Sequence, residues 1–370
     1  MKKILLLLAA VGLVVFQGGA ESKPAELSPT NVLATMKRVA DWQLAAPIRH
    51  RADDWTCGAL YAGVMALDEI ADIPKYRDAM TAIGRKQNWR PGPSRYYADD
   101  HCVSQMYLEL YLKSGDAAML KPTRELFDFI LDHPITNSLD FKTGKSQNRW
   151  SWCDALFMAP PAWIRLYKAT QDRRYLDFMD REWHATSGFL YDTNQHLYFR
   201  DSSYFEKRES NGKKIYWSRG NGWVMAGLAR VIPFFPVDDP RRKFYEEQFK
   251  EMAAKIVTLQ QPDGLWRSSL LDAESYPLKE TSGSGFYTFA LTWGINQGLL
   301  ERKQYEPAVR KAWLALVDCV TPEGKLEHVQ PIGADPRKFA PTDSDVYGVG
   351  AFLLAGRQMY QLAGGYIPAQ

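Results

Sequence analysis

Asp154 stands in a run that is otherwise apolar, Trp150-Ser-Trp-Cys-Asp-Ala-Leu-Phe-Met-Ala159. An aspartate near a helix start ordinarily caps the helix or complements its dipole, a role worth about 0.5–2 kcal/mol. Flanked by Trp152 and Phe157, the same carboxyl sits in surroundings that disfavour its charged form and raise its pKa. That suits a proton donor at neutral pH. Asp99 and Asp100 open a second apolar run, and the pair cannot both cap it equally well. Two carboxylates flanking one bond are the general plan of glycoside cleavage, so Asp154 and Asp100 are read as the acid/base pair. His101 beside them is either a helix-start hydrogen-bonding residue or a substrate contact. A third string, Trp217-Ser-Arg-Gly-Asn-Gly-Trp223, places Arg219 as a forked donor for a carboxylate and Asn221 beside it. Gly220 and Gly222 allow close backbone approach, and Trp217 and Trp223 offer apolar faces to a sugar ring. The plainer reading is a Gly-rich helix start with buried Trp. With carboxylates nearby, the string favours an acidic ligand.

These strings need elements that bring them together. Six segments are apolar almost all round: Trp55–Leu67, Asp99–Leu112, Trp152–Tyr167, Ser218–Ile232, Gly283–Leu299 and Ser344–Met359. Helices of that kind belong inside a protein. Between them lie amphipathic, charged helices near Asn31–Leu44, Lys75–Arg85, Ala117–Leu131, Arg174–Trp183, Arg241–Leu259 and Tyr305–Val317. Strand candidates are confined to Leu197–Arg200 and Leu265–Ser268. Alternation of two helix types over a repeat of ~45–70 residues implies an all-α chain of two concentric rings, an (α/α)6 barrel. An open superhelix is the rival, disfavoured by the even apolarity of the inner helices. In the closed ring all inner helices run the same way. Trp55, Asp99, Asp100, His101, Trp152, Asp154, Arg219, Asn221, Gly283, Ser284, Asp343 and Asp345 then line one mouth.

Composition bounds the alternatives. Lys2 and Lys3, the apolar Ile4–Phe16 run and the small Gly18 and Ala20 read as an export signal of residues 1–20, cleaved after Ala20. The run is shorter than the ~20 residues a membrane span needs. Residues 21–370 read as a single catalytic domain, periplasmic or secreted, because no linker interrupts them. The net charge is +3, and two of those charges belong to the signal, which argues against nucleic acid or membrane surfaces as partners. Cys57, Cys102, Cys153 and Cys319 form no C-x-x-C pair, and the six histidines show no ligand spacing, so neither a metal nor another cofactor is expected. An exported chain can hold a disulfide, although small buried thiols at helix starts fit these positions better.

Taken together, Ala98-Asp-Asp-His101, Trp152-Cys-Asp-Ala-Leu-Phe-Met-Ala159, Trp217-Ser-Arg-Gly-Asn-Gly-Trp223 and Thr281-Ser-Gly-Ser-Gly285 resemble the unsaturated uronyl hydrolases of glycoside hydrolase families 105 and 88. The resemblance runs from about Trp42 to Met359 and is nearer to family 105, the unsaturated rhamnogalacturonyl hydrolases. It implies a six-hairpin barrel that releases a 4,5-unsaturated uronic acid from lyase-generated, pectin-type oligosaccharides. It further implies that Asp154 protonates C4 of the double bond and that Asp100 helps hold water and sugar. Arg219 would engage the uronate carboxylate, with Trp55, Trp152, Trp217 and Trp223 shaping the subsite. Arg200 stands in a loop where family members often carry a His, and would take over that function or change what the subsite accepts. An inverting glycosidase for saturated sugars and a carbohydrate-binding barrel without turnover remain as alternatives; oligomeric state is not legible.

Overall fold

The computed structural model describes residues 27–142 and 146–367; the expected signal with its cleavage after Ala20 lies outside the described residues. Helices alternate between two environments. α2 (Trp55–Asp68), α4 (Ser104–Ser114), α6 (Ala155–Met158) with α7 (Pro160–Thr170), α9 (Ser218–Val231), α11 (Thr281–Asn296) and α13 (Val346–Leu362) form the inner ring. In α2, α9 and α11 nearly every residue is buried, as all-round apolarity demands. α1 (Pro29–Ala45), α3 (Lys75–Lys86), α5 (Ala117–Asp132), α8 (Arg173–Leu190), α10 (Arg242–Val257) and α12 (Arg302–Val317) form the outer ring, each with one buried stripe. Each inner helix packs on the next, and α13 packs back on α2, so the ring is closed and the superhelix is excluded.

Closure rests on a contact too close for side chains. A Cβ on Gly350 would lie 2.1 Å from the Ala59 carbonyl oxygen, and one on Gly63 would lie 2.5 Å from that of Gly350. These two glycines let the α13 and α2 backbones touch at the seam. Two outer helices are capped by aspartates: Asp116 accepts from Ala118 N at 3.0 Å and Asp172 from Arg174 N at 3.0 Å.

Two expected helices are broken. The Trp152–Tyr167 segment splits at Pro160-Pro161, whose missing N–H groups cannot bond the preceding turn. Gln105 Nε2 takes over the freed carbonyls of Phe157 and Met158, at 2.8 and 3.3 Å. The Asp99–Leu112 segment begins as a 3-10 turn, Ala98–His101, before α4. A two-stranded hairpin, β1 (Tyr191–Asp192) and β2 (Leu197–Tyr198), fulfils the first strand expectation in shortened form. Leu265–Ser268 forms no strand; its neighbour Ser269 makes an isolated bridge to Trp217. All four cysteines are buried and free, so no disulfide contributes.

Candidate active site

Because the inner helices are parallel, their N-terminal ends meet at one mouth. Tyr347 at the start of α13 stacks on Trp55 at the start of α2, ring centroids 5.3 Å apart. Ser218 at the start of α9 lies against Gly283 at the start of α11. Asp154 precedes α6 but makes no capping hydrogen bond, so the ordinary role of a helix-start aspartate is not the one it plays. Its carboxyl is buried, accepts weakly from Cys153 Sγ at 3.4 Å, and faces Arg200 Nε at 3.7 Å. Burial raises its pKa, and the Arg200 and Arg219 charges oppose that rise.

The second carboxyl nearest in charge is Asp99. It is fully enclosed, and burial pushes it up to about 7; a hydrogen bond from Tyr97 opposes that, while the charge of Asp154 adds to it. Its Oδ1 has no hydrogen-bond partner. Asp100 points elsewhere. Its Oδ2 accepts from Ser94 N at 2.7 Å, its carbonyl accepts from Gly92 N at 2.8 Å, and its charged neighbours are Arg51 and Asp53. Successive residues of a 3-10 turn project about 120° apart, so only one of the two can face Asp154. Asp99 thus carries the charge that bears on Asp154, and Asp100 holds the 92–94 loop beside Arg51 and Asp53.

Arg200 is delivered by a chain of backbone contacts. Asn221 Oδ1 accepts from Tyr198 N at 2.7 Å, and its Nδ2 donates to the carbonyls of Tyr198 and Trp217, pinning β2 to the start of α9. Two residues on, Cys153 N donates to Arg200 O at 2.8 Å, which sets Arg200 beside Asp154. Nη1 of Arg200 donates to Asp201 Oδ2 at 2.7 Å, whereas Nε is buried and unpartnered. Asn221 is therefore a positioning residue with every polar atom engaged, not a sugar contact.

Arg219 is fixed rather than free. Its guanidinium lies between the rings of Trp217 and Tyr347, 4.5 and 4.8 Å from their centroids, and donates to the carbonyls of Gln330 and Pro331. Only Nε lacks a partner. Two residues the sequence did not single out complete this wall. Glu280 is buried and caps α11 through Ser282 N and Gly283 N at 2.9 and 2.7 Å, and it also receives Gln330 N at 3.3 Å. Gln330 Oε1 accepts from Trp217 Nε1 at 3.0 Å, and its carbonyl accepts from Tyr347 OH at 2.6 Å. Glu is not among the favoured N-cap residues, so no capping signal in the sequence marks Glu280.

The remaining expected contacts separate by exposure. Trp55 keeps a partly exposed face at the mouth. Trp152 is buried and stacks on Tyr97 at 5.3 Å. Trp217 is buried and holds Gln330. Trp223 is fully enclosed between Phe286, Phe157 and Trp55, and belongs to the core rather than the pit. His101 turns away: Nε2 bonds Arg95 O at 2.7 Å, Nδ1 accepts from Trp163 Nε1 at 3.4 Å, and the ring packs on Phe127. Burial lowers its pKa to about 4, so it is a neutral interior group. Gly283, Ser284, Asp343 and Asp345 serve the backbone: Ser284 Oγ accepts from Trp266 N, Asp343 from Ala340 N, and Asp345 from Val346 N while also bonding His50. Among the described residues no group of His, Cys, Asp and Glu could hold a metal ion.

Most of the chain is similar to known proteins. The sequence matches the Glycosyl Hydrolase Family 88 profile over residues 30–363. The chain belongs to that family. It is 41% identical over 352 residues to an unsaturated 3S-rhamnoglycuronyl hydrolase of Formosa agariphila, covering 91% of this chain and 92% of that protein. It is 35% identical over 357 residues to a protein of the same name from Alteromonas sp. strain LOR, covering 89% and 86%. The solved structure of a family 88 glycosyl hydrolase from Bacteroides vulgatus superposes with a TM-score of 0.82 at 29% identity, over 90% of this chain and 99% of that one. The family 88 chain is accordingly a glycoside hydrolase on an (α/α)6 barrel.

Proposed function

We propose that this enzyme removes a 4,5-unsaturated uronic acid from the non-reducing end of short acidic oligosaccharides in which the next sugar is a rhamnose carrying a 3-sulfate. The observation that carries the chemistry is the Asp154 carboxyl: buried, uncapped, raised in pKa and faced by the unpartnered Nε of Arg200. A carboxyl whose pKa is raised by burial favours its protonated form and can deliver that proton to an electron-rich C4. Water then adds at C5 and returns its proton to the Asp154 carboxylate, giving a hemiketal. The C5–O5 bond opens to a ketone, leaving a hemiacetal at C1 that expels the aglycone as an alcohol. One water is consumed, and no step attacks the anomeric carbon. Asp99, pushed up to about 7, is about half ionised at neutral pH and can relay a proton to or from the adding water, while the cationic Arg200 and Arg219 attract the uronate carboxylate.

The aglycone is read from the names of two relatives, at 41% and 35% identity, each an unsaturated 3S-rhamnoglycuronyl hydrolase. Rhamnose next to the uronate is shared with the pectin-type rhamnogalacturonan substrate expected from the sequence, so the sulfate is the point at issue. Export belongs to the same proposal and is carried by the Lys2–Ala20 run. A panel of lyase-generated disaccharides tests it. The sulfated uronyl-rhamnose is expected to give the highest kcat/KM. Equal or faster turnover of the unsulfated rhamnogalacturonan disaccharide removes the sulfate from the assignment.

A further inference from the structure

The end of the barrel opposite the mouth carries a charge arrangement that uronate hydrolysis does not use. All six inner helices contribute there to two adjoining cavities of about 280 and 660 Å3, which share Glu69, Arg165 and Phe234 in their walls. Arg165 and Arg230 are both buried, and both lean on one oxygen of one carboxylate: Glu109 Oε1 lies 2.9 Å from Arg165 Nη2 and 2.6 Å from Arg230 Nη2. Each other acid in the walls is already taken. Glu69 pairs with Arg357 at 2.8 Å, and Asp68 with Arg77 at 3.1 Å and Lys113 at 3.4 Å. Lys168 completes the lining and makes no ion pair among the described residues. Six cations thus face three carboxylates around one concave surface.

Cations near helix C-termini offset the macrodipole, which accounts for the outer lysines and Arg77. It does not account for Arg165. That residue donates Nη1 to the carbonyls of Pro161 and Arg230, stacks over Phe234 at 4.5 Å, and still has Nε buried with no acceptor. Two buried guanidinium groups sharing a single carboxylate leave one charge uncompensated, an arrangement that costs several kcal/mol unless an anion completes it. We propose that this rear cavity is a second binding site, distinct from the mouth, for an oxyanion (a carboxylate or a sulfate) held by the Arg165 and Arg230 guanidinium groups. The planar fork of Arg suits both ligands, and Phe234, Phe289 and Trp293 give the carbon skeleton of a small acidic sugar an apolar wall.

Burial and the charge of Arg230 hold the Arg165 pKa down to about 9, the direction an unrelieved cationic pair produces. The test titrates the full chain with sodium sulfate and, separately, sodium glucuronate, by calorimetry and by thermal unfolding, against sodium chloride at matched ionic strength. A saturable equivalent additional to any binding at the mouth is expected, with a Tm rise above the chloride control. It should be retained in Arg200→Met, which alters the mouth, and weakened tenfold or more in Arg165→Met, about what loss of a charge-assisted hydrogen bond gives. Binding of sulfate alone identifies a sulfate source, and binding of glucuronate alone a uronate source; either supports the site. Saturable binding by neither ligand, undiminished binding in Arg165→Met, or loss of binding in Arg200→Met overturns it. Should Arg165→Met fail to fold, the paired surface substitutions Lys113→Ala and Lys168→Ala are expected to weaken binding severalfold, and unchanged affinity there overturns the proposal equally.

Discussion

Replacing Arg200 by Met removes the cation that holds the proton donor's pKa down. The guanidinium Nε lies 3.7 Å from Asp154 Oδ2, and both side chains are largely shielded, at 16% and 10% exposure. With an effective dielectric constant of about 20, a full charge at that distance is worth about 4.5 kcal/mol, or ~3 pH units. Arg200 also pairs with Asp201, whose negative charge offsets part of that field, so the shift is smaller than this full-charge value. The active form of Asp154 is the protonated one. Raising its pKa therefore extends activity to higher pH, and the alkaline limb of the kcat/KM profile is expected to move up, by no more than ~3 units. The plateau should fall at the same time by about 10–100-fold, because the substrate carboxylate loses a charged donor. The assay is the pH dependence of kcat/KM on an unsaturated uronyl disaccharide, wild type against Arg200→Met. A lower plateau with an unmoved limb would refute the reasoning, since Arg200 would then bind substrate without setting the donor's pKa.

Three further outcomes follow from the geometry. Asp99→Asn should reduce kcat by about 10²-fold or more, on the scale of losing a group that supports proton transfer, while Asp100→Asn should leave kcat within severalfold and chiefly lower the melting temperature; the reverse ranking in steady-state kinetics restores Asp100 to the site. His101 is buried and neutral with a pKa of about 4 against 6.5 when unfolded, so the unfolded chain binds the extra proton between those values. Stability is therefore full above pH 6.5 and is expected to fall by about 3 kcal/mol as pH drops to 4, a slope that His101→Gln should flatten in denaturant melts. Gly350→Ala drives a methyl toward the Ala59 carbonyl and should destabilise the ring by about 1–3 kcal/mol or more, read as a lower Tm; an unchanged Tm would show that the α2–α13 seam can relax.

Much of this architecture was legible in the sequence because burial on all faces leaves an unmistakable pattern. Trp55–Leu67 and Ser218–Ile232 coincide with α2 and α9 to within a residue, and parallel inner helices follow from the alternation. Asp154 stood out for the same reason: a lone acid in an apolar run has few explanations. What was not legible depends on phase and on distant partners. Which of Asp99 and Asp100 faces the mouth is decided by a 3-10 turn, and a reading built on α-helical spacing does not reveal it. His101 and Asn221 look like site residues locally, yet their partners, Trp163 and Tyr198, lie 62 and 23 residues away. Trp223 was drawn to the sugar by its neighbours in sequence and is claimed by Phe286 in space. Arg219 keeps its expected place, but its fork is spent on two carbonyls of a loop whose approach no local pattern announces. The Pro160-Pro161 break was visible in the letters; that Gln105 repairs it was not.

In the proposed reaction, cleavage begins at the C4=C5 double bond with a proton from Asp154. Following ultraviolet absorbance of that bond alongside sugar release, in heavy water, tests it most directly. Absorbance is expected to fall one-for-one with aglycone release, the product to carry one deuterium at C4, and Asp154→Asn to abolish both signals in a folded protein. Aglycone released while absorbance persists, or a product without deuterium at C4, would contradict it and return the enzyme to attack at the anomeric carbon.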